Sequence, residues 1–277
     1  MHSTEPGRAE HAPVKEPLPE LVAPRLAGSP LLVMLDIDGT LAPIAPRPEL
    51  AVVPPETRRV VASLAARDAT HVVLVTGRAA ADGRRLVAAG RAWVIGNHGS
   101  EVVSPDGDVQ IDPAVEPWRQ KIAQAARQLA AAVAPIRGVV FENKTWSLSV
   151  HYRLADPSVG PRLRATVDEI AERHGLAVTS GKMIVEVRAP ARVDKGTAVL
   201  ALAKRLGGLG EGASLLFLGD DLTDEDAFRL LRARVPLAVT VRVAEDPQTP
   251  TAAEFSVRDP AAVHELLEWL LRMRGGA

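Results

Sequence analysis

Apolar residues recur along this chain in two rhythms, short continuous runs and stripes at helical spacing, and the two alternate. Residues 31–35, 71–76 and 93–96 are apolar runs of strand length, separated by helical patterns over 56–66 and 79–89. This βαβαβ order predicts a parallel sheet with helices on its faces. The rhythm returns late in the chain as a helix over 195–206, a strand over 214–218, a helix over 223–232 and a strand over 237–243. Val263, Leu266, Leu267, Leu270 and Leu271 mark a closing amphipathic helix.

The middle of the chain reads differently. Trp118, Ile122, Ala125, Leu129 and Val133 form one helical stripe, and Leu163, Val167 and Ile170 form another. Strand-like runs follow each, at 139–143 and 147–152, then at 176–179 and 183–187. The short spacers Lys144-Thr145-Trp146 and Ser180-Gly181-Lys182 suit hairpins. The αββαββ order predicts a small α+β module at 113–189, inserted into a Rossmann-like parallel-sheet core made of 29–112 and 190–277. Residues 1–28, rich in Pro, Glu and Ala, are expected to be a flexible tail.

Composition narrows the classes. The 277 residues are 47% apolar and 24% charged, as for an ordinary globular protein. A net charge of −1 gives no electrostatic reason to expect nucleic acid or an anionic membrane as partner. The chain contains no cysteine, so disulfides and thiolate chemistry are excluded. No segment of signal-peptide length stands at the start and no run approaches the ~20 apolar residues that cross a bilayer, so a cytoplasmic protein is expected.

The chemistry gathers where strands end, and ligands of open parallel sheets bind outside the carboxyl ends of the strands. Asp36 and Asp38 follow the first strand, and Gly39 permits a turn that lets both face one crevice. Two acids in one site need a cation between them, or one must keep its proton. A second strand, 214–218, runs into Gly219-Asp220-Asp221-Leu222-Thr223-Asp224-Glu225-Asp226, with five acids in seven residues. Such a cluster calls for a hard cation, although Thr223 reads as a helix N-cap and part of the charge suits a first helical turn. Thr76 reads as the opening of a helix, and Lys195 begins another; a hydroxyl, helix-start N–H groups and an ammonium are the parts that hold a phosphoryl group.

These motifs fall in the order and spacing of the four motifs of haloacid dehalogenase superfamily phosphatases: Asp36-x-Asp38-Gly-Thr, Thr76, Lys195 and Gly-Asp220-Asp221-x-x-Asp224. The insert resembles that superfamily's α/β cap. Val75-Thr76-Gly77-Arg78, Gly96-Asn97-His98-Gly99, Phe141-Glu142-Asn143-Lys144, His151-Tyr152-Arg153, Gly181-Lys182 and Glu186-Val187-Arg188 narrow the likeness, from about residue 30 onward, to the trehalose-6-phosphate phosphatases.

The resemblance implies an enzyme that hydrolyses trehalose 6-phosphate through an aspartyl phosphate. Asp36 would be the nucleophile and Asp38 the acid and base, with Thr76 and Lys195 holding the phosphoryl oxygens. Mg²⁺ would be held by Asp36, the Asp38 carbonyl and Asp220, supported by either Asp221 or Asp224. Glu142, Lys144 and Glu186 would grip sugar hydroxyls, with Arg78, Asn97, His98, Arg153 and Lys182 as further contacts to substrate or cap. The expected partner is this small molecule alone, acting on a monomer without nucleic acid or membrane. Rival readings are a sister phosphosugar phosphatase with different cap contacts, and a non-catalytic phosphosugar-binding subunit. The second would be expected to lack Asp36 or Asp38.

Overall fold

The computed structural model describes residues 18–275 apart from Lys182 and Pro247. Helix α1 (Leu18–Leu26) leads into β1 (Leu31–Leu35), α2 (Pro55–Ala65), β2 (Thr70–Val75), α3 (Ala80–Val87) and β3 (Trp93–Gly96). Two short strands then extend the sheet edge, β4 (Glu101–Val103) antiparallel to β3 and β5 (Val109–Ile111) antiparallel to β4. A separate module follows: α4 (Arg119–Val133), β6 (Val140–Asn143), β7 (Ser147–His151), α5 (Val159–His174), β8 (Ala177–Gly181) and β9 (Ile184–Arg188). The chain then returns to the first sheet through α6 (Lys195–Arg205), β10 (Ser214–Gly219), α7 (Leu222–Arg234), β11 (Val239–Val243), β12 (Phe255–Val257) and α8 (Pro260–Gly275).

The large sheet has the order β12-β11-β10-β1-β2-β3-β4-β5, parallel from β12 through β3. Strand β1 lies at its centre and is buried along its whole length, and its alternating side chains feed two different cores. Leu31, Val33 and Leu35 pack with Val22 and Leu26 of α1, Val61 and Leu64 of α2, Val87 of α3 and Leu267 of α8. Leu32 and Met34 pack on the opposite face with Val199 and Leu202 of α6 and Phe228 and Leu231 of α7.

The expectation of a flexible tail through residue 28 is corrected over its last part. Leu18, Val22 and Leu26 recur every fourth residue along α1, and the last two are fully buried against the core. Burying each is worth about 1.5–3 kcal/mol. Arg25 fastens the helix further, with both oxygens of Glu254 at 2.8 Å. Residues 1–17 of the expected tail lie outside the described residues.

The module has a four-stranded antiparallel sheet in the order β6-β7-β9-β8, matching the predicted αββαββ pattern. One face carries Leu148, Val150, Val185 and Val187 onto Ile122 and Leu129 of α4 and Leu163 and Val167 of α5. The strand register places Glu142 opposite Ser149, and Ser149 opposite Glu186. The two carboxylates therefore share the face that the helices leave uncovered. No helix among the described residues is long and apolar enough to cross a membrane.

Candidate active site

Four consecutive parallel strands, β10, β1, β2 and β3, end at one edge of the sheet and deliver Asp220, Asp36, Thr76 and Asn97 there. After β1 the chain turns back on itself: the Ile37 carbonyl accepts from the N–H groups of Leu41 (2.9 Å) and Ala42 (2.8 Å). Ile37 is buried in the core, while Asp36 and Asp38 on either side of it line the cleft. Gly39, at φ +90°, makes this loop possible, and a Cβ there would strike the Asp220 carboxylate.

Lys195, the first residue of α6, is buried with its ammonium 2.8 Å from Asp36 Oδ1 and 2.9 Å from Asp224 Oδ1. The capping box of Asp194 and Thr197 fixes that helix start. Asp224 is also buried, and its Oδ2 accepts from the backbone N–H groups of Asp220 (3.0 Å) and Asp221 (3.1 Å). Helix α7 is capped by Asp221 and not by Thr223, as the sequence suggested. Asp221 Oδ1 accepts from the N–H groups of Thr223 and Asp224, which leaves Thr223 inside the first turn. Asp wins the cap because its backbone is extended where that of Thr223 is already helical.

Burial raises the pKa of Asp36 and Asp224 well above the carboxylate range, with Lys195 opposing. It also raises Asp220, with Asp224 and Asp221 adding to the effect, to about 8. Burial alone would lower Lys195, but Asp221, Asp224 and Asp36 outweigh it and hold the ammonium charged. One ammonium thus faces more carboxylates than it can neutralise. Single oxygens of Asp36, Asp220 and Asp224 lie within 4.8 Å of one another, and the buried Oδ1 of Asp220 has no partner among the described residues. An orphaned acceptor in an all-oxygen donor set fits a hard divalent cation.

Thr76 is buried just past the end of β2, and α3 begins only at Ala80, so Thr76 does not open that helix. Its Oγ1 instead accepts from the Arg78 N–H (3.1 Å), closing a local turn over Gly77. Arg78 forms a two-point ion pair with Asp38 and donates to the Pro48 carbonyl at 2.9 Å.

Asn97 and His98 follow β3 with φ of 49° and 54°, a left-handed pair that costs roughly 1–2 kcal/mol per residue. Such strain persists only where surrounding contacts over-determine it. Asn97 Nδ2 donates to Glu101 Oε1 (2.7 Å) and to the Lys144 carbonyl (3.1 Å), and its Oδ1 accepts from Ser147 Oγ (2.6 Å). His98 packs where a Cβ at Gly77 would otherwise stand, and its Nε2 lies 3.1 Å from Glu186 Oε2.

On the module, Lys144 lies one residue past β6 and is buried, donating to the Gly77 carbonyl (2.9 Å) and Glu186 Oε1 (3.0 Å). Glu186 also accepts from Ser149 Oγ at 3.0 Å. Although burial opposes it, His98 and Lys144 hold Glu186 well below the usual carboxylate range. Glu142 pairs with His151 at 3.1 Å and is lowered in the same way, burial opposing. Arg153 donates to the Ala45 carbonyl at 3.2 Å. Lys182 lies outside the described residues.

The cleft between sheet and module, about 220 Å³, is lined by Asp36, Asp38, Thr76, Lys195 and Asp221 at one end and by Glu142, Lys144, Arg153 and Glu186 at the other. Sequence reasoning gave no role to His151, Ser149 or the wall formed by Ile44–Pro48 and Met183. For His151 a signal was present: it is the third polar side chain, after Ser147 and Ser149, on one face of a strand that alternates with Leu148 and Val150.

An acid-tipped central strand, a lysine from a later helix and a sheet module facing both define a capped α/β protein. A sequence model of trehalose-phosphatases matches residues 34–261, and the chain belongs to that family. It is 35% identical over 242 residues to the trehalose-phosphate phosphatase of Mycobacterium tuberculosis H37Rv, covering 87% of this chain and 61% of that protein. An uncharacterized glycosyl hydrolase of the same organism is 38% identical over 249 residues, which is 88% of this chain but 18% of that protein. The chain thus spans only part of these relatives. The crystal structure of a trehalose-6-phosphate phosphatase related protein superposes with a TM-score of 0.76 at 26% identity, over 87% of this chain and 97% of that one.

Proposed function

We propose that this protein is a Mg²⁺-dependent phosphatase that releases trehalose and inorganic phosphate from trehalose 6-phosphate, acting as a cytoplasmic monomer. One observation carries the reading: a single cleft holds the Asp36–Lys195 pair at one end and two ionised carboxylates, Glu142 and Glu186, at the other. Family membership and the names of the M. tuberculosis relatives support it.

Asp36 attacks phosphorus, the bond from phosphorus to the sugar oxygen breaks, and Asp38 gives that oxygen its proton. Water then attacks the aspartyl phosphate while Asp38 takes its proton back, which frees phosphate and restores Asp36. Lys195 and Thr76 hold phosphoryl oxygens near the site of attack. Asp36, Asp220 and Asp224 are the side chains that would hold the Mg²⁺, with Asp221 held off as the helix cap. Bound there, the ion supplies positive charge that keeps the crowded carboxylates ionised and polarises the phosphoryl group. Residues 113–189 serve as the cap, with Glu142 accepting from sugar hydroxyls.

A panel of phosphosugars tests the substrate. Preferential phosphate release from trehalose 6-phosphate supports the proposal; preference for another phosphosugar would overturn the substrate and keep the chemistry.

A further inference from the structure

Strand β11 carries a charge among valines. Val239, Val241 and Val243 face the core that contains α1, α2 and α8, so Arg242 points to the opposite face of the sheet, toward α7. The register pairs Arg242 with Gly219, the last residue of β10, and the guanidinium reaches one residue further along that neighbour. There one terminal nitrogen donates to the Asp220 carbonyl at 2.9 Å. That carbonyl lies past the end of the strand ladder, and the arginine takes the place of a strand partner. The other terminal nitrogen meets Glu225 Oε1 of α7 at 2.5 Å.

Glu225 is buried and both of its oxygens are occupied. Oε1 also accepts from Thr251 Oγ1 and Oε2 accepts from the Ala252 N–H, each at 2.7 Å. Only 11% of the Arg242 side chain is exposed, so the pair is shielded from water. Such a pair is weak evidence for stability, because desolvating two charges offsets their attraction. Neither residue lines the cleft. What the pair does hold is Asp220. The Asp220 N–H donates to Asp224 Oδ2 at 3.0 Å, its carbonyl accepts from Arg242, and its carboxylate packs against Gly39. Its buried Oδ1 is left without a partner among the described residues.

We propose that Arg242 is a positioning residue for the Mg²⁺ site: backed by Glu225, it fixes the Asp220 backbone so that the Asp220 carboxylate stays within reach of Asp36 and Asp224. This role rests on the reading of those three acids as the Mg²⁺ ligands. Mg²⁺ demands near-ideal octahedral geometry, so a ligand whose backbone can swing binds it less well. Loss of such outer support typically costs about 10–100-fold in metal affinity.

The test titrates the substrate-free full chain with Mg²⁺ alone and reads Kd by calorimetry, well below the melting temperature. Arg242→Met, similar in length but unable to donate, should raise Kd at least ~10-fold. Thr251→Ala removes a donor to Glu225 and leaves the Arg242 contact with Asp220; it should lower Tm and leave Kd unchanged. Asp220→Ala should abolish measurable binding. In phosphate release, Arg242→Met should raise the half-saturating Mg²⁺ concentration by the same factor on trehalose 6-phosphate and on a small aryl phosphate, since its side chain touches neither.

If Arg242→Met fails to fold because it strands the buried Glu225 charge, combining it with Glu225→Gln removes both charges and is read in the same way. A parental Kd without the arginine, with binding lost in Asp220→Ala, would overturn the positioning role and keep the metal site. A rise in Kd that Thr251→Ala matches would also overturn it, reducing the pair to general support of the fold. A parent that binds no Mg²⁺ would overturn the role and the metal site together. Mg²⁺ binding that follows the expected order, without hydrolysis of any phosphosugar, would support the role and sink the proposed function alone.

Discussion

Arg78 grips Asp38 by both oxygens, Nε to Oδ2 at 2.6 Å and a terminal nitrogen to Oδ1 at 2.7 Å. The pair stands at the cleft wall, so Asp38 must give up a guanidinium bond before that oxygen can carry a proton to a leaving group. Asp38→Asn keeps the shape and removes the proton donor. We predict a loss of at least ~10² in the chemical step with trehalose 6-phosphate, whose alkoxide leaving group needs a proton. The loss should be smaller for an aryl phosphate, whose phenoxide leaves without one. Single-turnover phosphate release on both substrates measures this, and an undiminished rate would remove Asp38 from the acid role.

Glu142 has one oxygen engaged by His151 and another without a partner among the described residues. Glu142→Ala should therefore cost trehalose 6-phosphate hydrolysis at least ~10-fold more than aryl phosphate hydrolysis, the loss of one hydrogen bond to a charged group. Steady-state kinetics on the pair of substrates provide the ratio. Equal losses would mean that Glu142 serves the fold of the cap and not recognition.

The acid cluster carries a pH signature that does not depend on turnover. Asp220 is raised from 3.8 to about 8 by burial and by Asp224 and Asp221. A carboxyl group with a raised folded pKa contributes stability that is full below its unfolded pKa and is lost as pH rises through the folded value. The metal-free protein should therefore melt lower at about pH 9 than at about pH 6 through this group. With the proposed Mg²⁺ site in the ionised cluster, saturating ion should raise Tm more at the higher pH. Thermal melts with and without the ion check both trends; an equal gain at the two pH values would place the ion elsewhere.

Much of this was legible in the sequence because it depends on local pattern. The βαβ rhythm, the four strand ends and the αββαββ module follow from short apolar runs alternating with stripes of period 3.6, and the large sheet and the module match them. Helix α1 was hidden because its stripe is short and contains Pro24, so only the tertiary burial of Val22 and Leu26 reveals it. Strands β4, β5 and β12 are three residues each, too short for a period to show. The Glu142–His151 pair depends on cross-strand register, and the pairing of Glu186 with His98 joins positions 88 residues apart. The role of Asp221 as cap depends on the backbone angles of one residue.

The central claim is that Asp36, held by Lys195, attacks a phosphate ester whose sugar the cap recognises. The most direct test is phosphate release from trehalose 6-phosphate by the parent and by Asp36→Asn, each with Mg²⁺ and with EDTA. The account predicts release by the parent with Mg²⁺ only, and none by Asp36→Asn under either condition although substrate still binds. Near-parental release by Asp36→Asn would contradict it.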